Sequence, residues 1–139
     1  MAILITGGLG FIGAHTARAF LDAGHPCVLT AHNNLRVPVF LPGHGDDGAL
    51  HVEQVDLADR AALLALGERH RIDGIVHLAA VPPGAGDVAD EIGGNVALLG
   101  NVLAAARRWN VGRSRSPVRS VCIWGRRQTA PSARTTRYR

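Results

Sequence analysis

The sequence predicts an α/β fold, an incomplete doubly wound parallel sheet of about four strands with flanking helices. Three observations predict it. Short apolar runs rich in β-branched residues alternate with stretches of helical period from residue 2 to about residue 111, the pattern of successive strand–helix–strand units with right-handed crossovers. The first run passes directly into glycines at positions 7, 10 and 13, a tight turn from a strand into a helix. The pattern then stops. Residues 1–112 carry seven arginines and all eleven acids, a net −4, whereas Arg113 onward brings eight arginines and no acid, a net +8, for +4 in all.

Ala2–Thr6 is apolar on both faces and β-branched at Ile3, Ile5 and Thr6, which fits a strand covered on both sides. Gly7 can take the positive φ that the turn needs, Gly10 leaves no Cβ in front of a pyrophosphate, and Gly13 lets the helix pack close to the strand. The backbone N–H groups near Phe11 and Ile12, at the positive end of a helix dipole, form an anion site. This reading predicts dinucleotide binding. Thr6-Gly7-Gly8-Leu9-Gly10-Phe11-Ile12-Gly13 also resembles the TGxxGxxG fingerprint of the short-chain dehydrogenase/reductase superfamily. Phe-Ile between the last two glycines is similar to its extended branch, the NAD(P)-dependent epimerases and dehydratases of nucleotide sugars. The resemblance implies a Rossmann-type sheet and an NAD or NADP cofactor.

A helix is expected from about Phe11 to Ala23, with Phe11, Ala14, Ala17, Phe20 and Leu21 on its inner face and Gly24 as its stop. Cys27–Ala31 reads as the second strand. A dinucleotide fold carries an acid near its end for the adenosine ribose, yet none lies between Asp22 and Asp46. His32, Asn33, Asn34 and Arg36 stand there instead. His32 and Arg36 are the candidates at this position, and a missing carboxylate beside an arginine favours NADP over NAD, with either allowed. A loop over 37–49 precedes the strand Leu50–Val55. The Asp56-Leu57 step that follows resembles the family's adenine-binding step, and Asp59 reads as a helix N-cap.

A helix over about Arg60–His70 leads to the strand Asp73–Ala80. Its end, His77-Leu78-Ala79-Ala80, resembles the extended branch's HLAA step, which implies that Leu78, Ala79 and Ala80 lie along the nicotinamide ribose. His77 reads as a structural histidine. After the loop Pro82–Gly86, residues Ile92, Val96, Leu99, Leu103 and Ala106 recur at helical spacing and are expected to form the inner face of a long helix. Within it Asn95-Val96 and Gly100–Ala106 resemble the family's NVxGTxNVLEAA helix, where Asn95 matches a residue that supports the catalytic lysine.

No run approaches the roughly 18 apolar residues of a membrane span, and no charged, apolar leader opens the sequence, so a cytoplasmic location is expected. Cys27 and Cys122 follow no metal or redox spacing, and none of the seven histidines falls in a ligand motif; no metal site is expected. All fifteen basic residues are arginine. The family's catalytic Tyr-x-x-x-Lys is therefore missing, and Ser120 alone stands near the position of its catalytic serine.

Residues 1–111 are thus read as a partial NAD(P)-binding domain, and 112–139 as an Arg/Ser/Pro-rich tail outside it, disordered or out of frame. Codons that encode Arg113–Val121 can be chosen so that dropping two bases reads Val-Ala-Val-Ala-Ser-Ser-Val-Gly, a strand ending in Ser-Ser where the family places one. A truncated, frameshifted amino-terminal part is the expectation, with a short natural chain bearing a disordered basic tail, or a sequencing error, as the alternatives. The expected function is cofactor binding without catalysis, the nucleotide-sugar substrate belonging to intact relatives. A non-catalytic dinucleotide sensor is the alternative. Nucleic-acid binding through the tail is the remoter one, since clustered arginine attracts phosphate but no recognition module accompanies it. Oligomeric state is left open.

Overall fold

The computed structural model describes residues 1–42, 48–84 and 86–111, and the backbone of 121–123. The chain runs β1 (Ala2–Thr6), α1 (Phe11–Asp22), β2 (Cys27–Ala31), β3 (Leu50–Gln54), α2 (Arg60–Arg69), β4 (Ile72–His77), α3 (Val88–Arg108) and β5 (Val121–Ile123). The five strands form one sheet in the order β3-β2-β1-β4-β5, every pair parallel. Among the described residues no helix is long and apolar enough to cross a membrane.

β1 is buried along its whole length because the sheet is covered on both faces. Alternate residues enter opposite layers. Ile3 and Ile5 pack with Ala14 and Ala17 of α1 and with Leu29 and Val76. Leu4 joins Val28 and Ile75 against Leu63 and Leu66 of α2 and Val102 and Ala105 of α3. Burying a side chain such as Leu4 fully is worth about 1.5–3 kcal/mol.

The helix ends follow local chemistry. Gly24, at φ 79°, closes α1: its N–H donates to the Leu21 carbonyl, and the His25 N–H donates to the Phe20 carbonyl, the paired bonds of a Schellman turn. Asp59 caps α2 by accepting from the Ala61 and Ala62 N–H groups, and Asp87 caps α3 by accepting from Asp90. At the other end of α2, Arg69 and His70 both reach Glu53 on β3, at 2.8 and 2.6 Å.

Two expectations are corrected. Phe11 does not enter the core: it is 83% exposed, its ring edge against His15. The helix buries Gly13, Ala14 and Ala17 instead, because it lies too close to the strands for a larger inner face. The inner face of α3 is likewise rotated. Ile92, Val96 and Leu103 are exposed, and Val102 and Ala105 are buried with Leu98, Ala106 and Trp109 beside them. Asparagines select that rotation: Asn101 donates to the Leu57 and Ala58 carbonyls, and Asn95 accepts from the Val81 N–H. An apolar period counts methylenes and is blind to such bonds. Beyond residue 111, Val121–Ile123 pairs as a fifth strand beside β4. It is the one apolar β-branched run there, and it covers a strand edge that would otherwise be open. The rest of 112–139, Ser120 included, lies outside the described residues.

Smaller differences concern boundaries. β3 ends at Gln54, α2 at Arg69 and β4 at His77, so Leu78–Ala80 continue past the sheet as extended chain.

Candidate functional site

The strand order reverses between β1, which leads to β2, and β4, which lies on its other side. Ligands of open α/β sheets bind at such a switch point, beyond the carboxyl ends of the strands. A cavity of about 650 Å³ lies there. Gly7, Gly10, His32, Asp56, Leu57, Leu78, Ala79 and Ala80 all line it. Residues from four separate loops of the sequence are thereby brought to one place.

The glycines shape its floor. Gly7 has φ 67°, and a Cβ there would sit 3.0 Å from the Ala79 nitrogen. The Gly10 N–H donates to the Gly7 carbonyl at 3.0 Å, and the Gly8 N–H to the Thr30 carbonyl at 3.1 Å, which draws the loop over the end of β2. Gly13 is the packing glycine: its Cβ would meet the Gly7 carbonyl oxygen at 2.3 Å. Gly10 differs from both, since a Cβ would meet protein only at the Gly7 oxygen, 3.2 Å away.

The start of α1 stands apart from the other two helices. Gly10 is its N-cap, with no side-chain cap bond and no acid in the first turn. Its opening N–H groups, at Phe11 and Ile12, are therefore free of the carboxylates that occupy the same place in α2 and α3. Such an end favours an anion. The side chains of Phe11 and Ile12 point elsewhere, onto a shallow groove along α1 with His15, Phe20 and His25.

Thr6 ties the two central strands together at the cavity. Its Oγ1 lies 2.7 Å from His77 Nδ1 and accepts from the Leu78 and Ala79 N–H groups at 3.1 and 3.3 Å. With both lone pairs engaged, the hydroxyl donates its hydrogen bond to Nδ1, which leaves the ring proton on Nε2. Burial holds the His77 imidazole below its ordinary pKa, so the ring stays neutral. His77 is the structural residue that its sequence context indicates.

Asp56 does two things. One carboxylate oxygen accepts from the Ala58 N–H at 2.8 Å to start a turn. The other lies 3.9 Å from His32 Nε2. Arg36 is not among the cavity's lining residues; its backbone N–H donates to Asn34 Oδ1, and it is Asn34 that reaches the cavity. Sequence reasoning placed Asn34 in this stretch without making it a candidate, and it missed the far wall, where Val81, Gly94 and Leu98 take part. At Gly94 a Cβ would sit 3.0 Å from a Val81 methyl, so glycine eases the approach of α3 to that wall. Asn95 bridges the Val81 N–H and the Glu91 carbonyl.

A parallel sheet with a glycine-lined cavity at its switch point defines a nucleotide-binding α/β protein. Its sequence matches the model of the NAD dependent epimerase/dehydratase family over residues 3–139, and the chain belongs to that family. It is 35% identical to the UDP-glucose 4-epimerase of Caenorhabditis elegans over 92 residues, 58% of this chain and 26% of that protein. It is 35% identical to the dTDP-glucose 4,6-dehydratase of Neisseria meningitidis serogroup B over 115 residues, 77% of this chain and 32% of that one. Among solved structures, it is similar to the Bordetella bronchiseptica enzyme WbmG in complex with NAD, at 28% identity and a TM-score of 0.67, over 81% of this chain and 35% of that one. The chain thus spans about a quarter to a third of the length of these relatives.

Proposed function

We propose that this chain is the NAD(P)-binding portion of a nucleotide-sugar epimerase/dehydratase and that these 139 residues do not catalyse turnover by themselves. The observation that carries the reading is the uncapped, acid-free start of α1 opening on a cavity that Gly7 and Gly10 line. The family match and the NAD complex of WbmG support the same cofactor class.

The residues present fit such a group. The pyrophosphate would lie on the N–H groups at the start of α1, where Gly13 and Gly7 hold the loop against the strands. Asp56 and Leu57 would take the adenine, His32 and Asn34 the adenosine ribose, and Leu78–Ala80 the nicotinamide side. The bound cofactor would supply a hydride acceptor and donor. What this chain lacks is the proton-handling pair. The sequence holds no lysine, so a tyrosine with its pKa lowered by a neighbouring lysine has to come from outside these residues. Between the cofactors, NADP is accepted alongside NAD, because buried Ala31 stands at the end of β2 where a carboxylate would repel a 2′-phosphate.

Calorimetric titration with NAD and with NADP tests the reading. The wild-type chain is expected to bind at least one of them. Gly10→Val is expected to lose that binding and keep its circular dichroism, since its Cβ meets protein only at the Gly7 carbonyl oxygen, 3.2 Å away, while the side chain takes the phosphates' place. Undiminished binding by Gly10→Val would overturn the assignment.

A further inference from the structure

The chain that leaves β2 passes the cavity and returns to α1. At its start, the His32 carbonyl accepts from Gln54 Nε2 at 3.0 Å. At its far end, Leu41 is buried beside Ala14 and Ala17 of α1, with Val37 partly buried against the same cluster. Between them Asn34 reaches the cavity and accepts from the Arg36 N–H to start a turn, while Leu35, Arg36 and Val39 stand in solvent. A stretch with so little buried surface keeps its place only if something holds it.

The side chains of α1 supply the hold. The His15 imidazole contacts two phenyl rings. Phe11 meets it edge to face, with centroids 5.0 Å apart and planes at 71°, and Phe40 stacks on it at 4.8 Å and 14°. Three residues further along α1, Arg18 Nη1 donates to the Phe40 carbonyl at 2.8 Å. Arg18 is itself aimed by Asp22, whose two oxygens accept from Nε at 2.8 and 3.0 Å. Phe40 is thus gripped through its ring and its backbone by neighbours on one helix face. All three rings are solvent-exposed, so removing one leaves no cavity in the core. Phe11 also opens α1, at the end offered to the pyrophosphate. His15 therefore joins that end to the loop that carries Asn34.

We infer that His15 is a positioning residue for the dinucleotide: through Phe40 it holds the 32–41 loop against α1, so that His32 and Asn34 stand at the cavity before the cofactor arrives. The role rests on the cofactor assignment above. Its physical basis is preorganisation. When the loop is closed in only a fraction of chains, apparent affinity falls by that fraction, because binding then has to supply the ordering.

The test is calorimetric titration of the full 139-residue chain with NAD and with NADP, in the wild type and in variants of the clamp. His15→Ala and Phe40→Ala are each expected to weaken binding on the order of two- to tenfold, the size of one or two aromatic contacts. Their circular dichroism is expected to stay unchanged, because both side chains are exposed. His15→Phe, which keeps a flat ring against Phe40, is expected to restore the affinity. His15→Ala/Phe40→Ala is expected to bind no more weakly than the weaker single variant, since each substitution opens the same clamp. In the ligand-free chain, hydrogen exchange over residues 33–41 is expected to quicken in both alanine variants and not in His15→Phe. Wild-type binding that His15→Ala leaves intact would overturn the proposal while the cofactor assignment stands, as would losses that add in the double variant. A wild type that binds neither NAD nor NADP would overturn both.

Discussion

His32 and Arg36 stand four residues apart, and the fold separates them. His32 faces the cavity beside Asp56, whereas the chain turns at Asn34 and leaves Arg36 off the cavity wall. Arginine is the better phosphate ligand by its charge and fork geometry, but position decides which side chain can act. Arg36→Ala is therefore expected to leave the ratio of NADP to NAD affinity unchanged. His32→Ala is expected to weaken NADP more than NAD, because only NADP offers a 2′-phosphate to the imidazole N–H. A hydrogen bond to a charged group is worth about 1.5–3 kcal/mol, or about tenfold or more in affinity. Paired titrations of the two variants check this, and the opposite order would return the role to Arg36. The pattern of residue types showed that an acid was missing after β2; the direction of each side chain was not in it.

At the scale of elements, the bond between Thr6 at the end of β1 and His77 at the end of β4 fastens the strands that border the cavity. It has a pH dependence whose sign follows from burial. His77 titrates below its ordinary value in the folded chain and near about 6.5 in the unfolded one. Between those two values the unfolded chain binds the proton and the folded chain does not, so stability falls as pH drops through this window. Protonated Nδ1 would also become a second donor facing the Thr6 hydroxyl, which already accepts twice. Urea unfolding at pH 7.5 and at pH 5.5 is expected to show a loss on acidification that is smaller in His77→Gln, a side chain that takes up no proton. An equal loss in both chains would assign the dependence to other groups. Elements also show where periodicity misled: α1 turns Phe11 outward so that Gly13 and Ala14 can touch the sheet, and α3 turns by its asparagine bonds.

For the molecule as a whole, the cavity wall from Leu78 to Leu98 is built from the extended chain that follows β4 and from α3, with β5 paired beside β4. This arrangement supports cofactor binding at one side and holds no lysine with which to run the chemistry. The chain is accordingly expected to show no turnover when supplied with NAD and UDP-glucose under conditions where titration shows NAD bound. Spectrophotometric assay of reduced cofactor, with chromatography of the sugar nucleotide, would detect it. Measured epimerisation would show that the proton-handling pair is dispensable here.

Much of this was legible in the amino-acid order. The alternation of strands and helices, the glycine loop and the Asp59 cap depend on neighbours within a few residues, and local chemistry determines them. The strand order, the cavity that joins residues as distant as Gly7, Asp56 and Ala80, the rotation of α3 and the entry of Val121–Ile123 into the sheet were decided only in three dimensions. Each depends on which surfaces can approach: glycine lets backbone touch backbone, and a half-buried asparagine finds its carbonyl. Periodicity records which residues are apolar. Packing chooses which of two apolar faces goes inside.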